Sequence, residues 1–200
     1  MVGGGHGCAN TFGVTAVPDT VASDGDGVSP EMGTTPDDSD LLAPAGVCTS
    51  EAQWFNLLHV LDGDTITIDD GLFSKVRLLG VAAPEIAHPP KPAECFGVQS
   101  WLAAKKWLPE ESGVKLCVQA DLSADDKDKY HRLLRYVYFK DSQGRIVQLN
   151  ARQIRRGNAR LYREFAKGLQ LETVFAELEK AAKSEGLGGW TGCGWQPLSP

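Results

Sequence analysis

Apolar and polar residues alternate in short runs along most of the chain beyond residue 53. Trp54 to Val60 reads as a strand. Ile66 and Ile68 then alternate with Thr65 and Thr67, the two-residue period of a strand with two unlike faces. Asp69-Asp70-Gly71 is a turn signal, and Val76-Arg77-Leu78-Leu79 runs back as the third strand. Arg77 stands alone between Val76 and Leu78, so the pleat points it to the opposite face. Val114 to Val118 predicts a fourth strand and Leu133 to Phe139 a fifth. Asp141-Ser142-Gln143-Gly144 is a turn, and Arg145 to Leu149 is the fifth strand's partner or continuation.

The period changes to three and four residues at three places. Val98 to Leu108 predicts a helix with Val98, Trp101, Leu102 and Lys105 in register and Pro109 at its end. Asn150 to Arg156 predicts a short helix closed by Gly157. Leu169 to Ser184 predicts a third, with Leu171, Val174, Phe175, Leu178 and Ala182 on one face and Gly186 past its end. His88-Pro89-Pro90-Lys91-Pro92 fits neither a helix nor a central strand, so it is a loop between Glu85 and the first helix. Five short strands with a helix after the third predict an α+β fold. Its centre is a closed five-stranded barrel of the OB type with three helices.

Residues 1–47 carry no such period. They are rich in Gly, Pro, Ser, Thr and Asp and predict an irregular acidic segment. Ser23 to Ser29 and Gly33 to Asp40 resemble short calcium-binding Asp repeats, but Ala22 stands where the first Asp belongs, and the acidic-linker reading is preferred. The expected organisation is this segment, a barrel domain over 48–195, and a tail over 196–200. Charge follows the same division. The chain has 20 Lys and Arg against 26 Asp and Glu, a net charge of −6. Residues 1–50 hold seven of those acids and no Lys or Arg, which leaves 20 bases against 19 acids in the rest. The acidic balance therefore belongs to the segment and does not exclude a polyanionic partner for the barrel. No apolar run reaches the roughly 18 residues of a membrane helix, and no signal peptide pattern opens the chain.

Five cysteines stand at 8, 48, 95, 117 and 193. An odd number leaves at least one outside an intramolecular set. Cys8 and Cys48 bracket the acidic segment and can staple it. Cys95 precedes the first helix and Cys193 follows the last, so they can pair. Cys117 lies in a strand-like run, where a free thiol is an equal reading.

The chemistry-bearing residues gather around the predicted hairpin. Asp64 opens one strand beside Asp62, Arg77 lies on the other, and Glu85 follows Pro84 on the loop after it. A hard-oxygen ligand, a planar guanidinium and a proton acceptor on one sheet edge are what phosphoryl transfer uses. The order Asp62-Gly63-Asp64-Thr65, then Arg77-Leu78-Leu79-Gly80-Val81, then Ala83-Pro84-Glu85, then Asp128-Lys129-Tyr130-His131-Arg132 resembles the staphylococcal nuclease (thermonuclease) family from about Trp54 to Trp190.

That resemblance implies the same barrel and a calcium-dependent endonuclease. Such an enzyme cleaves DNA and RNA to 3′-phosphate ends. It implies catalytic roles for Arg77, Glu85 and Arg132: the two arginines on the scissile phosphate, Glu85 on the attacking water. Asp64 and the Ala83 carbonyl are implied ligands of one calcium ion, and Lys129 and Tyr130 implied contacts of the neighbouring phosphate. Two positions depart from the family pattern. Ala82 stands where a second carboxylate ligand belongs, which predicts a weak metal. His131 stands where the family has Gly, a substitution that matters if the backbone there has positive φ. The rival expectation is a catalytically impaired module that binds nucleic acid or protein.

Arg152, Arg156 and Arg160 would share a helical face, to track a nucleic-acid backbone or simply to meet solvent. Tyr162 and Phe165 are candidates to stack on a base, with core packing preferred for both. The family resemblance and the repeat-like segment imply a secreted or cell-envelope protein, and a monomer is expected.

Overall fold

The computed structural model describes residues 41–50 and 54–199. The repeat-like stretches of the acidic segment and Cys8 lie outside them. Strands β1 (Trp54–Val60), β2 (Thr65–Asp69) and β3 (Lys75–Leu78) form the expected antiparallel meander. A two-residue strand β4 (Val81–Ala82) leads through a loop to helix α1 (Gly97–Trp107). Strands β5 (Lys115–Gln119), β6 (Leu133–Lys140) and β7 (Ile146–Gln148) follow, then α2 (Leu149–Arg155) and the short β8 (Arg160–Leu161). The described chain closes with α3 (Arg163–Ala166), α4 (Glu172–Ser184) and α5 (Gly189–Gly192).

The sheet order is β3-β2-β1-β5-β6-β7, and β3 also pairs with β6 in parallel. That pairing closes β1, β2, β3, β5 and β6 into a five-stranded barrel, so the α+β barrel fold is as the strand pattern predicts. Ile66, Ile68, Val76, Leu78, Leu116, Val137 and Phe139 fill it, each at most 2 % exposed. Thr65 and Thr67, the polar positions of β2, are buried as well. Strand β2 therefore has no solvent face, and its second face belongs to the site described below.

The helices bury faces that periodicity alone does not select. On α1 the buried residues are Gly97, Ser100 and Ala104, while Val98 and Leu102 are exposed. The small residues let the helix approach the β1–β2 turn so closely that a Cβ on Gly63 would run into Ser100 and Ala83. Trp101 follows the expectation and donates its indole N–H to the Val60 carbonyl at 2.8 Å. On α4, Phe175, Leu178 and Ala182 are buried but Val174 is exposed. The short α2 is buried on nearly every side and pins strand ends with amides. Asn150 accepts the Val137 N–H at 2.9 Å and donates to the Leu79 carbonyl at 3.0 Å, and Gln153 donates to the Gly63 carbonyl.

Two disulfides are present. Cys95 pairs with Cys193, one of the expected pairings. Cys48 pairs with Cys117, not with Cys8, across 69 residues. The pairing has a packing reason: the stretch before Cys48 runs along β7 at the sheet edge and delivers the thiol to β5. Leu41 is 1 % exposed, Leu42 bridges Val147, and the Ala43 N–H donates to the Ile146 carbonyl at 2.8 Å. Among the described residues, contacts with the sheet thus start upstream of Cys48.

Candidate active site

A cleft of about 830 Å³ opens beside β3 and β4. Arg77, Ala82, Ala83 and Glu85 line one part of it. Asp128, Lys129, Tyr130 and Arg132 line another. The loop over 121–132 carries the second group, and β3 carries Arg77. The parallel β3–β6 pairing brings the two together, with Arg77 opposite Leu134, two residues beyond Arg132.

Asp64 is buried behind this surface, 6 % exposed. Its Oδ2 lies 2.9 Å from Arg77 Nη2 and accepts the Ala83 N–H at 2.8 Å. Its Oδ1 accepts the Thr65 hydroxyl at 3.0 Å. Arg132 Nη1 in turn donates to the same Thr65 hydroxyl oxygen at 3.3 Å. Asp62 is the turn residue, as expected, and accepts the Asp64 N–H at 2.8 Å. Burial pushes the Asp64 carboxyl well above the usual carboxylate range; Asp62 adds to the rise, while Arg77 and the Ala83 N–H oppose it.

Arg77 also donates to the Val81 carbonyl at 2.6 Å and the Leu78 carbonyl at 3.1 Å. Its guanidinium is therefore held by three acceptors while its edge faces the cleft. Arg132 is held by Asp128, whose Oδ2 accepts from Nε at 2.7 Å and lies 2.7 Å from Nη2. Asp128 Oδ1 accepts the N–H groups of Tyr130 and Arg132 at 2.9 Å. Burial works against the Asp128 charge, yet these donors hold its carboxyl below the usual range. The sequence pattern missed Asp128 as the holder of Arg132 and Thr65 as the link to Asp64. The four-residue spacing of Asp128 and Arg132 was the available signal.

His131 has φ +62°, the left-handed region. The backbone at this position does need positive φ, which a histidine adopts at a cost. Tyr130 is exposed, with the Lys129 ammonium 5.1 Å and the Arg132 guanidinium 5.5 Å from its ring centre. Tyr162 and Phe165 line the far side of the cleft, edge to face at 4.8 Å. Phe165 is 61 % exposed, so core packing does not hold for it.

The basic run does not form a tracking face. Arg160 lies in β8, off the helix that carries Arg152, and stacks over Trp195 at 5.2 Å. Arg152 lies over Trp107 at 4.6 Å. Arg155 is buried in a bidentate pair with Glu185, both bonds 2.9 Å. Arg163 pairs with the buried Glu179. Arg155, Arg160 and Arg163 thus contact the C-terminal helices or the segment after them, and Arg152 contacts α1.

This geometry bears on the expected calcium ligands. Both Asp64 oxygens already have partners and Ala82 offers no carboxylate, so Asp64 and the Ala83 carbonyl amount to one anionic and one neutral oxygen ligand. Among the described residues no three His, Cys, Asp or Glu side chains gather as a metal site. Calcium takes six to eight oxygens, with affinity set by the number of charged ligands. The residues present do not make up such a set.

The fold is a five-stranded OB-type barrel domain with two arginines opening on one cleft. The chain belongs to the staphylococcal nuclease family: the model of the family described as staphylococcal nuclease homologue matches residues 75–192, more than half of the chain. An uncharacterized protein of Methanocaldococcus jannaschii is 30 % identical over 158 residues, covering 72 % of this chain and 74 % of that protein. The thermonuclease of Staphylococcus intermedius is 31 % identical over 133 residues, 66 % of this chain and 73 % of that enzyme. The SPbeta prophage-derived endonuclease YokF of Bacillus subtilis is 32 % identical over 138 residues, 68 % of this chain but 44 % of YokF. Homology therefore makes this chain a nuclease homologue, with nucleic acid as the family's substrate class.

Proposed function

We propose that this protein is an endonuclease that hydrolyses internal phosphodiester bonds of DNA and RNA to 3′-phosphate ends. One observation carries the reading. Arg77 and Arg132 come from separate segments, reach the same Asp64–Thr65 pair, and open on one cleft with Glu85. Two fixed guanidinium groups stabilise the charge that grows on the equatorial oxygens of a phosphoryl group in transfer. Glu85 accepts a proton from water as its oxygen bonds to phosphorus. The bond from phosphorus to the 5′ oxygen breaks, Arg132 donates hydrogen bonds to the phosphate and the departing oxygen, and that oxygen takes its proton from solvent water. Lys129 and Tyr130 hold the neighbouring phosphate. Their exposure and position beside Arg132 support that role. Two disulfides among the described residues support an oxidising compartment and so a secreted or envelope location. No helix among the described residues is long and apolar enough to cross a membrane. The protein acts as a monomer.

Ala82 favours a second reading, a weakened relative that binds nucleic acid without cutting it. Degradation of single-stranded DNA and RNA, with added calcium and with chelator, separates the two. Arg77→Ala and Arg132→Ala should each remove about 2–4 kcal/mol of transition-state stabilisation. Cleavage by both variants at the parent rate would show that the endonuclease assignment is wrong. Binding without cleavage by the parent selects the second reading.

A further inference from the structure

The loop from β4 to α1 leaves the barrel at Glu85 and returns at Glu94. Its outer end is a small hairpin in which His88 and Lys91 exchange both backbone hydrogen bonds, at 3.0 and 2.8 Å. Its neck is built differently. The Glu94 N–H donates to the Glu85 carbonyl at 2.9 Å. The return bond, from the Glu85 N–H, goes to the Glu94 side chain, Oε2, at 3.2 Å. The Glu94 carbonyl is occupied elsewhere, accepting the Gly97 N–H at 3.0 Å at the start of α1. One residue thus ties Glu85 to the first turn of a helix that packs on the barrel. Gly97 completes the neck: a Cβ there would collide with the Glu85 carbonyl. The disulfide at the adjacent Cys95 anchors the same point to Cys193.

We infer that Glu94 is a positioning residue for Glu85, its carboxylate closing the loop neck so that the Glu85 side chain is aimed at the cleft. Glu85 itself is exposed and lies on irregular backbone, so packing does not fix its direction. A proton acceptor works only within hydrogen-bond reach of the attacking water, and a loop free to shift by about an ångström forfeits much of that alignment. Pro84 fixes the approach to Glu85, and the Glu94 clamp fixes the exit. The inference rests on the endonuclease reading above and adds a residue to it.

The test compares E94A and E94Q with the parent on single-stranded DNA. E94A loses the acceptor, and kcat should fall about tenfold with little change in KM, because phosphate contacts from Arg77, Arg132 and Lys129 stay in place. E94Q keeps an acceptor oxygen and should recover most of that loss. Amide exchange at Glu85, followed by NMR without substrate, should speed up in E94A and stay near the parent rate in E94Q. Equal kcat for E94A and parent overturns the inference while leaving the endonuclease reading intact. A rise in KM at constant kcat also overturns it, since that places Glu94 in substrate binding. A parent that cleaves nothing overturns the endonuclease reading and the catalytic half of the inference. Unchanged Glu85 exchange in E94A overturns the clamp itself.

Discussion

Arg77 Nη2 and Asp64 Oδ2 lie 2.9 Å apart, with both side chains almost out of water. The pair neutralises the single buried carboxylate at the edge of the cleft. It also explains why one change at residue 82 has leverage. A second carboxylate beside Asp64 would leave a net negative pocket next to a bound arginine, the setting in which a dication binds.

Ala82→Asp is the first prediction. Residue 82 lines the cleft, and its neighbour Ala83 is bonded to Asp64. The position is half-buried and small, so the fold should tolerate the change. Calcium affinity should rise, since affinity follows the number of anionic ligands. Cleavage in the presence of calcium should rise with it. Titration calorimetry of the two proteins is the check, and identical calcium isotherms would mean that residue 82 does not face Asp64.

His131→Gly should stabilise the protein. A non-glycine residue in the left-handed region costs about 1–2 kcal/mol, partly offset by the greater freedom glycine has when unfolded. A net gain of about 0.5–1 kcal/mol in denaturant unfolding is expected. A loss would show that the His131 side chain makes a compensating contact.

Leu41 lies in a stretch where the sequence shows no period, yet it is 1 % exposed. Leu41→Ala should cost about 2–4 kcal/mol, as for other buried leucines. A midpoint unchanged from the parent would mean that the stretch before Cys48 adds nothing to the core.

Acid should loosen the arm that holds Arg132. The Asp128 carboxyl lies below its ordinary value in the folded protein. A depressed carboxyl contributes stability that is present above the unfolded pKa of about 3.9 and is lost as pH falls through the folded value. The parent should therefore lose more stability between neutral pH and acid than Asp128→Asn does. Thermal melts of both proteins across that range test it, and parallel pH profiles would remove Asp128 from the account.

The hairpin was legible because its information is local. Ile66 and Ile68 mark one face of β2 within five residues, and Arg77 between Val76 and Leu78 had only one way to point. The order of motifs from Asp62 to Arg132 sufficed to suggest the family. Three features were not legible, and each depends on what closes over a surface from far along the chain. Thr65 and Thr67 are polar positions on an alternating strand, yet they are buried because β2 is covered on both faces. The α1 face was misread because hydrophobicity favours Val98 and Leu102, whereas close approach to Gly63 requires Gly97, Ser100 and Ala104. Cys48 meets Cys117 because Leu41 to Ala43 pair with β7 and bring the following stretch alongside β5. The sequence by itself determined the barrel strands, the barrel and the residue types around the cleft, but not the short β4 and β8. Tertiary structure decided the partners of those residues: Asp64 with Arg77 and Ala83, and Arg132 with Thr65. Periodicity records which side of an element is apolar, but a hydrogen bond between distant segments exists only once the barrel has closed and brought them within hydrogen-bond reach.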